Sequence, residues 1–155
     1  MIPGIERVAP GGEAVFEAAE FARRQDLVRG DLAARDIDIL MVTGPENIFW
    51  LTGQQTPGYY TFQALLLPAE GEPVFVVRAL EALNLIANSH LRQIEPYADD
   101  ADPVRFVVET IRARGWGEKR IAIDERAWFL PIAVYKALLA ALGEVGDGSR
   151  LVETR

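Results

Sequence analysis

Asn47-Ile48-Phe49-Trp50-Leu51-Thr52-Gly53 stands between an apolar strand and a loop rich in glycine and proline, and the fold can be read outward from it in both directions. Immediately upstream, Ile37-Asp38-Ile39-Leu40-Met41-Val42 is almost unbroken in apolar side chains. Such a run suits a strand covered on both faces rather than one alternating between core and water. Thr43-Gly44-Pro45 then breaks it, so we expect a central strand ending just before the quoted stretch. Farther upstream, residues 13–35 hold no proline and a single glycine, Gly30. Phe21, Val28 and Leu32 recur there at helical spacing, with Glu17, Arg24 and Arg35 available for a wet face, which predicts a long amphipathic first helix.

Downstream, residues 62–67 and 74–77 favour β structure and flank the turn formers Pro68-Ala69-Glu70-Gly71-Glu72-Pro73, predicting a β-hairpin. Residues 79–87 have helix-forming composition, and residues 94–97 return as a short strand interrupted by Pro96. Asp102 is placed to cap a helix whose first position is Pro103, with Val104, Val107, Val108 and Ile111 on one stripe and Gly115 to end it. Residues 120–124 give another strand, residues 131–142 a helix stopped by Gly143, and Leu151-Val152 a last strand. The fold class expected is α/β, a mixed sheet of about five or six strands flanked by helices.

The chain has 155 residues, 50% of them apolar, which is enough for one domain with a substantial core. A formal charge of −7, with Lys and Arg scattered among the acids, argues against a nucleic-acid or anionic-membrane surface. Small solutes or other proteins are the expected partners. No cysteine is present, so neither a disulfide framework nor a thiol nucleophile is available, and zinc would depend on nitrogen and oxygen ligands. Met1-Ile2-Pro3-Gly4-Ile5-Glu6-Arg7 lacks the pattern of a secretory leader and no apolar span is long enough for a bilayer, so a soluble, cytoplasmic protein is expected. No internal repeat recurs. Pro10-Gly11-Gly12 belongs to an N-terminal arm of a dozen or so residues, and the glycines from Gly143 to Gly148 read as a loosened loop.

The search for chemistry is mostly negative. His90 is the sole imidazole, and neither Ser89 nor Ser149 sits in a Gly-x-Ser-x-Gly elbow; Ser89 and His90 read as a helix end in solvent. The glycine clusters lack the Lys-[Ser/Thr] of a phosphate loop. In Asp99-Asp100-Ala101-Asp102 the last residue is a helix cap and the other two are free to face water. The stretch from Trp50 to Gln63 is different. Gly53, Pro57 and Gly58 fix an irregular backbone that carries Gln54, Gln55, Thr56, Tyr59, Tyr60 and Gln63, the aromatic and amide mixture of a small-molecule pocket or a protein interface. Trp50 and Phe62 read as core. Tyr59, Tyr60 and the glutamines fit equally a binding wall or a covered sheet edge. Arg78 could clamp a carboxylate at the end of its strand, although pairing with Glu81 is the simpler expectation.

Asn47, Trp50, Leu51, Thr52 and Gly53 together resemble the Asn-x-x-[Tyr/Trp]-[Leu/Phe]-[Thr/Ser]-Gly signature of the N-terminal domain in the creatinase, prolidase and aminopeptidase P family. The order of elements is similar over nearly the whole chain, and Val76-Val77-Arg78-Ala79-Leu80-Glu81 resembles the stretch after the hairpin in some members. The resemblance implies a non-catalytic front domain of a hydrolase, Xaa-Pro dipeptidase or aminopeptidase being the commonest case and a creatinase- or ectoine-hydrolase-like C–N hydrolase the alternative. A free-standing small-molecule-binding or dimerisation module is the other reading left open. The resemblance implies metal chemistry in a C-terminal pita-bread domain that binds two divalent ions, often manganese, cobalt or zinc, through two Asp, one His and two Glu, although creatinase itself works without metal. That domain is expected to lie beyond Arg155, so no cofactor is expected within this chain, which by itself should hydrolyse nothing. The expected partners are the catalytic domain, a second copy in a homodimer, and a small-molecule or short peptide substrate. Gln54, Gln55, Thr56, Tyr59, Tyr60, Gln63 and Arg78 are the substrate-border candidates.

Overall fold

Ile39–Val42 forms β1, buried at every position, and its side chains divide between two cores. Leu40 and Val42 pack with Val28, Leu32, Ile48 and Leu51 on one face, while Ile39 and Met41 pack with Val107, Val108, Ile111 and Leu138 on the other. A strand covered on both sides has no position for a polar residue, which is why its sequence does not alternate. The computed structural model describes residues 8–148 of the chain. The strand expected at Leu151-Val152 lies outside these residues.

In chain order, α1 spans Ala18–Ala34, β1 is followed by α2 at Pro45–Thr52, and the hairpin strands are β2 (Ala64–Pro68) and β3 (Val74–Arg78). A short 3-10 turn leads into α3 (Ala82–Asn88), then β4 (Gln93–Tyr97), α4 (Pro103–Ala113), β5 (Ile121–Ile123), α5 (Ile132–Leu142) and β6 (Gly146–Asp147). The strands form one sheet of order β4-β3-β2-β1-β5-β6. Only the β1–β2 and β2–β3 pairings are antiparallel, so β2 alone runs against the rest. α1, α2 and α3 contribute to the core on one face of the sheet, and α4 and α5 to the core on the other.

α4 shows how local chemistry sets its bounds. The Asp102 side chain accepts from the Val104 and Arg105 amides, Pro103 occupies the first position, and Val107, Val108 and Ile111 are buried. Gly115 takes a φ of +72°, and the Gly115 and Trp116 amides donate to the Arg112 and Ile111 carbonyls in a Schellman stop. Pro96 is accommodated in a continuous β4 because that strand lies at the sheet edge, where a missing N–H costs least.

Several expectations are corrected. α1 begins at Ala18, not near residue 13, because residues 8–13 form turns whose Gly11 and Glu13 amides donate to Ile86 and Ala87 carbonyls at 2.8 Å. Arg24 does not sit on the wet face: it bonds the Trp50 carbonyl at 2.9 Å and lies 4.6 Å from the Phe16 ring and 5.5 Å from that of Trp50. Ser89 ends α3 but is buried, its hydroxyl donating to the Leu85 carbonyl at 2.8 Å. The glycine-rich stretch before residue 149 is not all loop, since Gly146–Asp147 pairs parallel to β5. No helix among the described residues is long and apolar enough to cross a membrane.

Candidate functional site

The quoted stretch turns out to be a helix and its stop. α2 was not anticipated, because Gly44-Pro45 reads as a break and eight residues are too few to display a period. Pro45 opens it at a position where its missing N–H is no loss, and Gly53 closes it at a φ of +83°. Thr52 reinforces the end: its hydroxyl donates to the Ile48 carbonyl at 2.7 Å and accepts from the Gln54 amide at 3.1 Å. Leu51 is fully buried, whereas Trp50 and Phe62, expected in the core, are only partly buried against it. Asn47 ties the helix to the far side of β1, donating to the Asp124 carboxylate at 2.9 Å.

Because Val42 pairs with Leu65 and Met41 with Ile123, the residues following β1 and β5 lie at the same end of the sheet as those preceding β2. There residues 53–63 and the turn after β5 frame a cavity of about 490 Å3. Gln54, Gln55, Thr56, Tyr59 and Gln63 line it with Pro45, Glu46, Phe49 and Phe129. Tyr59 meets Phe129 edge to face at a centroid distance of 5.3 Å with the rings 78° apart, although 70 residues separate them in sequence (129 − 59). Glu46 carries the only formal charge in that lining.

Gln54 is the anomaly of the site. It is 2% exposed, and neither its amide nitrogen nor its carbonyl oxygen has a hydrogen-bond partner among the described residues. Leaving a desolvated amide unpaired costs about 1–3 kcal/mol. Its neighbours, by contrast, are pinned. The Thr56 hydroxyl donates to the Glu81 carboxylate and accepts from the Gly58 amide at 2.9 Å, while the Asn84 amide donates to the Gln55 carbonyl at 2.5 Å. A Cβ on Gly58 would lie 2.5 Å from a Glu81 oxygen, so the loop rests directly on the element after β3.

Two candidates fall elsewhere. Tyr60 is 76% exposed and touches the site only through Tyr59, at 6.3 Å and edge to face. Arg78 is outside the cavity, and its expected pair with Glu81 does not form. Arg78 instead donates to both Asp99 oxygens at 2.7 and 2.8 Å, because Arg78 pairs with Tyr97 across β3 and β4 and brings residue 99 within reach. Asp99 faces water as expected but is not free there; the Arg78 hydrogen bonds hold its carboxyl below the usual range, and the same bonds raise the guanidinium above its own. Among the described residues no group of three or more His, Cys, Asp or Glu side chains gathers as a metal site. His90 lies 3.2 Å from the Phe16 carbonyl, away from the cavity. Asn84, Asp124 and Phe129 are missed by sequence reasoning because only the sheet topology brings their distant segments to this loop, Glu46 and Phe49 are missed because nothing local marks them, and Glu81, expected to pair with Arg78, holds Thr56 instead.

Residues 24–154 match the family model described as Creatinase/Prolidase N-terminal domain. The chain is 32% identical over 148 residues to the ectoine hydrolase of Halomonas elongata, a match covering 88% of the chain and 37% of that protein. It is 29% identical over 139 residues to the uncharacterized hydrolase/peptidase y4tM of Sinorhizobium fredii, covering 84% of the chain and 36% of the relative. The chain thus spans little more than a third of these curated relatives. Among solved structures, the N-terminal domain of an Xaa-Pro dipeptidase from Lactobacillus brevis superposes with a TM-score of 0.75 at 18% identity, over 85% of this chain and 99% of that one. At that identity the likeness shows the fold alone.

Proposed function

Since the chain belongs to the creatinase/prolidase N-terminal domain family, we propose that it is the substrate-selecting front domain of a C–N bond hydrolase, whose reacting groups belong to the rest of a longer protein. The observation that carries this reading is the convergence of Gln54, Gln55, Thr56, Tyr59 and Gln63 on one cavity, with the Gln54 amide held there unpaired. An aromatic and amide wall on a separate rigid domain restricts a cleft without touching the reacting centre, and so acts on discrimination between substrates. In this reading the loop 53–63 borders the active site of a second copy in a homodimer. In the same reading the divalent ions implied for the family belong to the remainder of the protein, because the described residues gather no group of three or more His, Cys, Asp or Glu side chains that could hold them.

The substrate class we assign to the whole protein is a small molecule with a scissile C–N bond, of which an Xaa-Pro peptide is one form. The 32% identity with ectoine hydrolase favours a second form, an ectoine-type substrate. In the whole protein, Gln55→Ala and Tyr59→Ala should shift KM, or the ratio of kcat/KM between two substrates, by about tenfold, equivalent to ~1.4 kcal/mol, with metal content unchanged. Equal loss on every substrate, together with depleted metal, would overturn the assignment.

A further inference from the structure

Among the described residues, the cavity at this end of the sheet has a composition that narrows what can enter it. No Lys, Arg or His lines it, and its single charged side chain is the Glu46 carboxylate. An anion would enter with no counter-charge, beside a carboxylate, on a chain whose formal net charge is −7. Three aromatic rings, Phe49, Tyr59 and Phe129, share the same wall, and Tyr59 and Phe129 meet as a corner with their planes 78° apart. Tyr59 is 45% exposed there, so its ring is available to a ligand without moving core residues. Aromatic faces attract cations within about 6 Å of a ring centroid, and a carboxylate at the same wall adds to the attraction. The volume of about 490 Å3 falls inside the roughly 300–1,000 Å3 range of small-molecule sites. Independently of charge, the buried and unpartnered Gln54 side chain leaves amide donors and an acceptor unused at that wall, which is the signature of a missing polar partner.

We infer that the cavity framed by Phe49, Tyr59, Phe129 and Glu46 is a binding site for a compact organic cation, with the Gln54 amide available to a polar substituent on it. This rests on reading the cavity as the substrate-bordering wall and adds the ligand's charge and size. The ligand is a quaternary or alkylated ammonium, or an amidinium, small enough to sit between the rings. A zwitterion is admitted with its cationic end inward.

The test uses the 155-residue chain and tetramethylammonium chloride, followed by backbone amide NMR, with sodium acetate and tert-butanol as the anionic and neutral probes of similar size. Saturable shifts from tetramethylammonium should be confined to residues 46–63 and the neighbourhood of Phe129, and the other two probes should bind at least about tenfold more weakly. Tyr59→Ala and Glu46→Gln should each weaken the cation by about tenfold, while Tyr59→Phe, which keeps the ring, should restore it. Both positions are exposed, so a folded spectrum of each variant is the control. Equal binding of acetate, shifts elsewhere on the surface, no saturation, or unchanged affinity in Tyr59→Ala and Glu46→Gln overturns the inference. Failure here, with Tyr59→Ala still altering substrate preference in the whole protein, removes the cation and leaves the front-domain reading. Cation binding with no such effect on preference does the reverse.

Discussion

Gly53→Ala should be among the most damaging single-methyl additions available to this chain. Gly53 ends α2 at a φ of +83°, a left-handed conformation that costs an L residue roughly 1–2 kcal/mol. The added Cβ would also lie 2.8 Å from the Asn88 carbonyl oxygen and 2.8 Å from Cζ of the buried Phe21. Neither neighbour yields easily, one being backbone at the end of α3 and the other a buried ring carried by α1 itself. Forcing a methyl into packed surroundings adds about 1–3 kcal/mol, so the total is about 2–5 kcal/mol. Against a typical domain stability of about 5–15 kcal/mol that is a large fraction. Gly115→Ala is the matched control: it too follows a helix, at a φ of +72°, but a Cβ there meets nothing within 4 Å. Urea unfolding of both variants, compared at equal m, separates the conformational cost they share from the clash only Gly53 suffers. If Gly53→Ala falls within about 0.5 kcal/mol of Gly115→Ala, the close approach of α2's end to α3 is wrong.

Gln54→Leu should raise unfolding free energy by about 1 kcal/mol, because it removes a buried amide that has no partner; a lower urea midpoint would refute this. Asp102→Ala should cost about 1 kcal/mol through loss of the cap on the Val104 and Arg105 amides, read from the same titration. Glu20 is held down to a pKa of about 2 by hydrogen bonds from Arg23 and then Arg24, so its stabilising contribution is complete above about 4.5 and is lost as pH falls through about 2. Carboxyl-carbon NMR should show that midpoint move towards 4.5 in Arg23→Ala, and an unmoved midpoint would exclude the bond. Glu81→Ala should speed amide exchange across residues 55–61 while leaving β1 protected, and Glu81→Gln, which still accepts from Thr56, should not.

The layers of this fold were legible wherever one residue type has one physical use. β1 was readable because a strand covered twice must be apolar throughout, and α4 because Asp102, Pro103 and Gly115 each do a job few other residues do. α2 was not, although Gly44-Pro45 at its start and Gly53 at its end carry the same asymmetry of proline within the first turn and glycine past the last. The same residues also make turns, and only the contacts of Ile48 and Leu51 with β1 and α1 decide between the two uses. At the site, the amide and aromatic members of residues 54–63 stood out by composition, but Phe129 and Glu46 did not, because an isolated Phe or Glu has no local signature. Arg78 was assigned the wrong acid for a related reason. Glu81 is nearer in sequence, but the parallel pairing of β3 with β4 puts Asp99 nearer in space.

The position of the cavity follows from the one strand that runs the wrong way. In a sheet whose neighbours are parallel, the chain leaving β1 would return along a helix to the opposite end before starting the next strand, and the connection would be absorbed into a packed layer. Here β2 is antiparallel to β1, so the connection must begin and end at the same end of the sheet. α2, with eight residues, advances the chain only about 12 Å, and residues 53–63 bring it back without crossing the sheet. α2 itself packs on β1, but residues 55–61 of the returning segment are, apart from Gly58, exposed or half-buried and not covered by either helical layer. Its backbone is held by side chains instead, by Thr52, Thr56 and Asn84 directly and by Glu81 through the Thr56 hydroxyl. The side chains of Gln54, Gln55 and Tyr59 take no part in holding that backbone and line the cavity at the open end of the sheet, where loops carry binding functions.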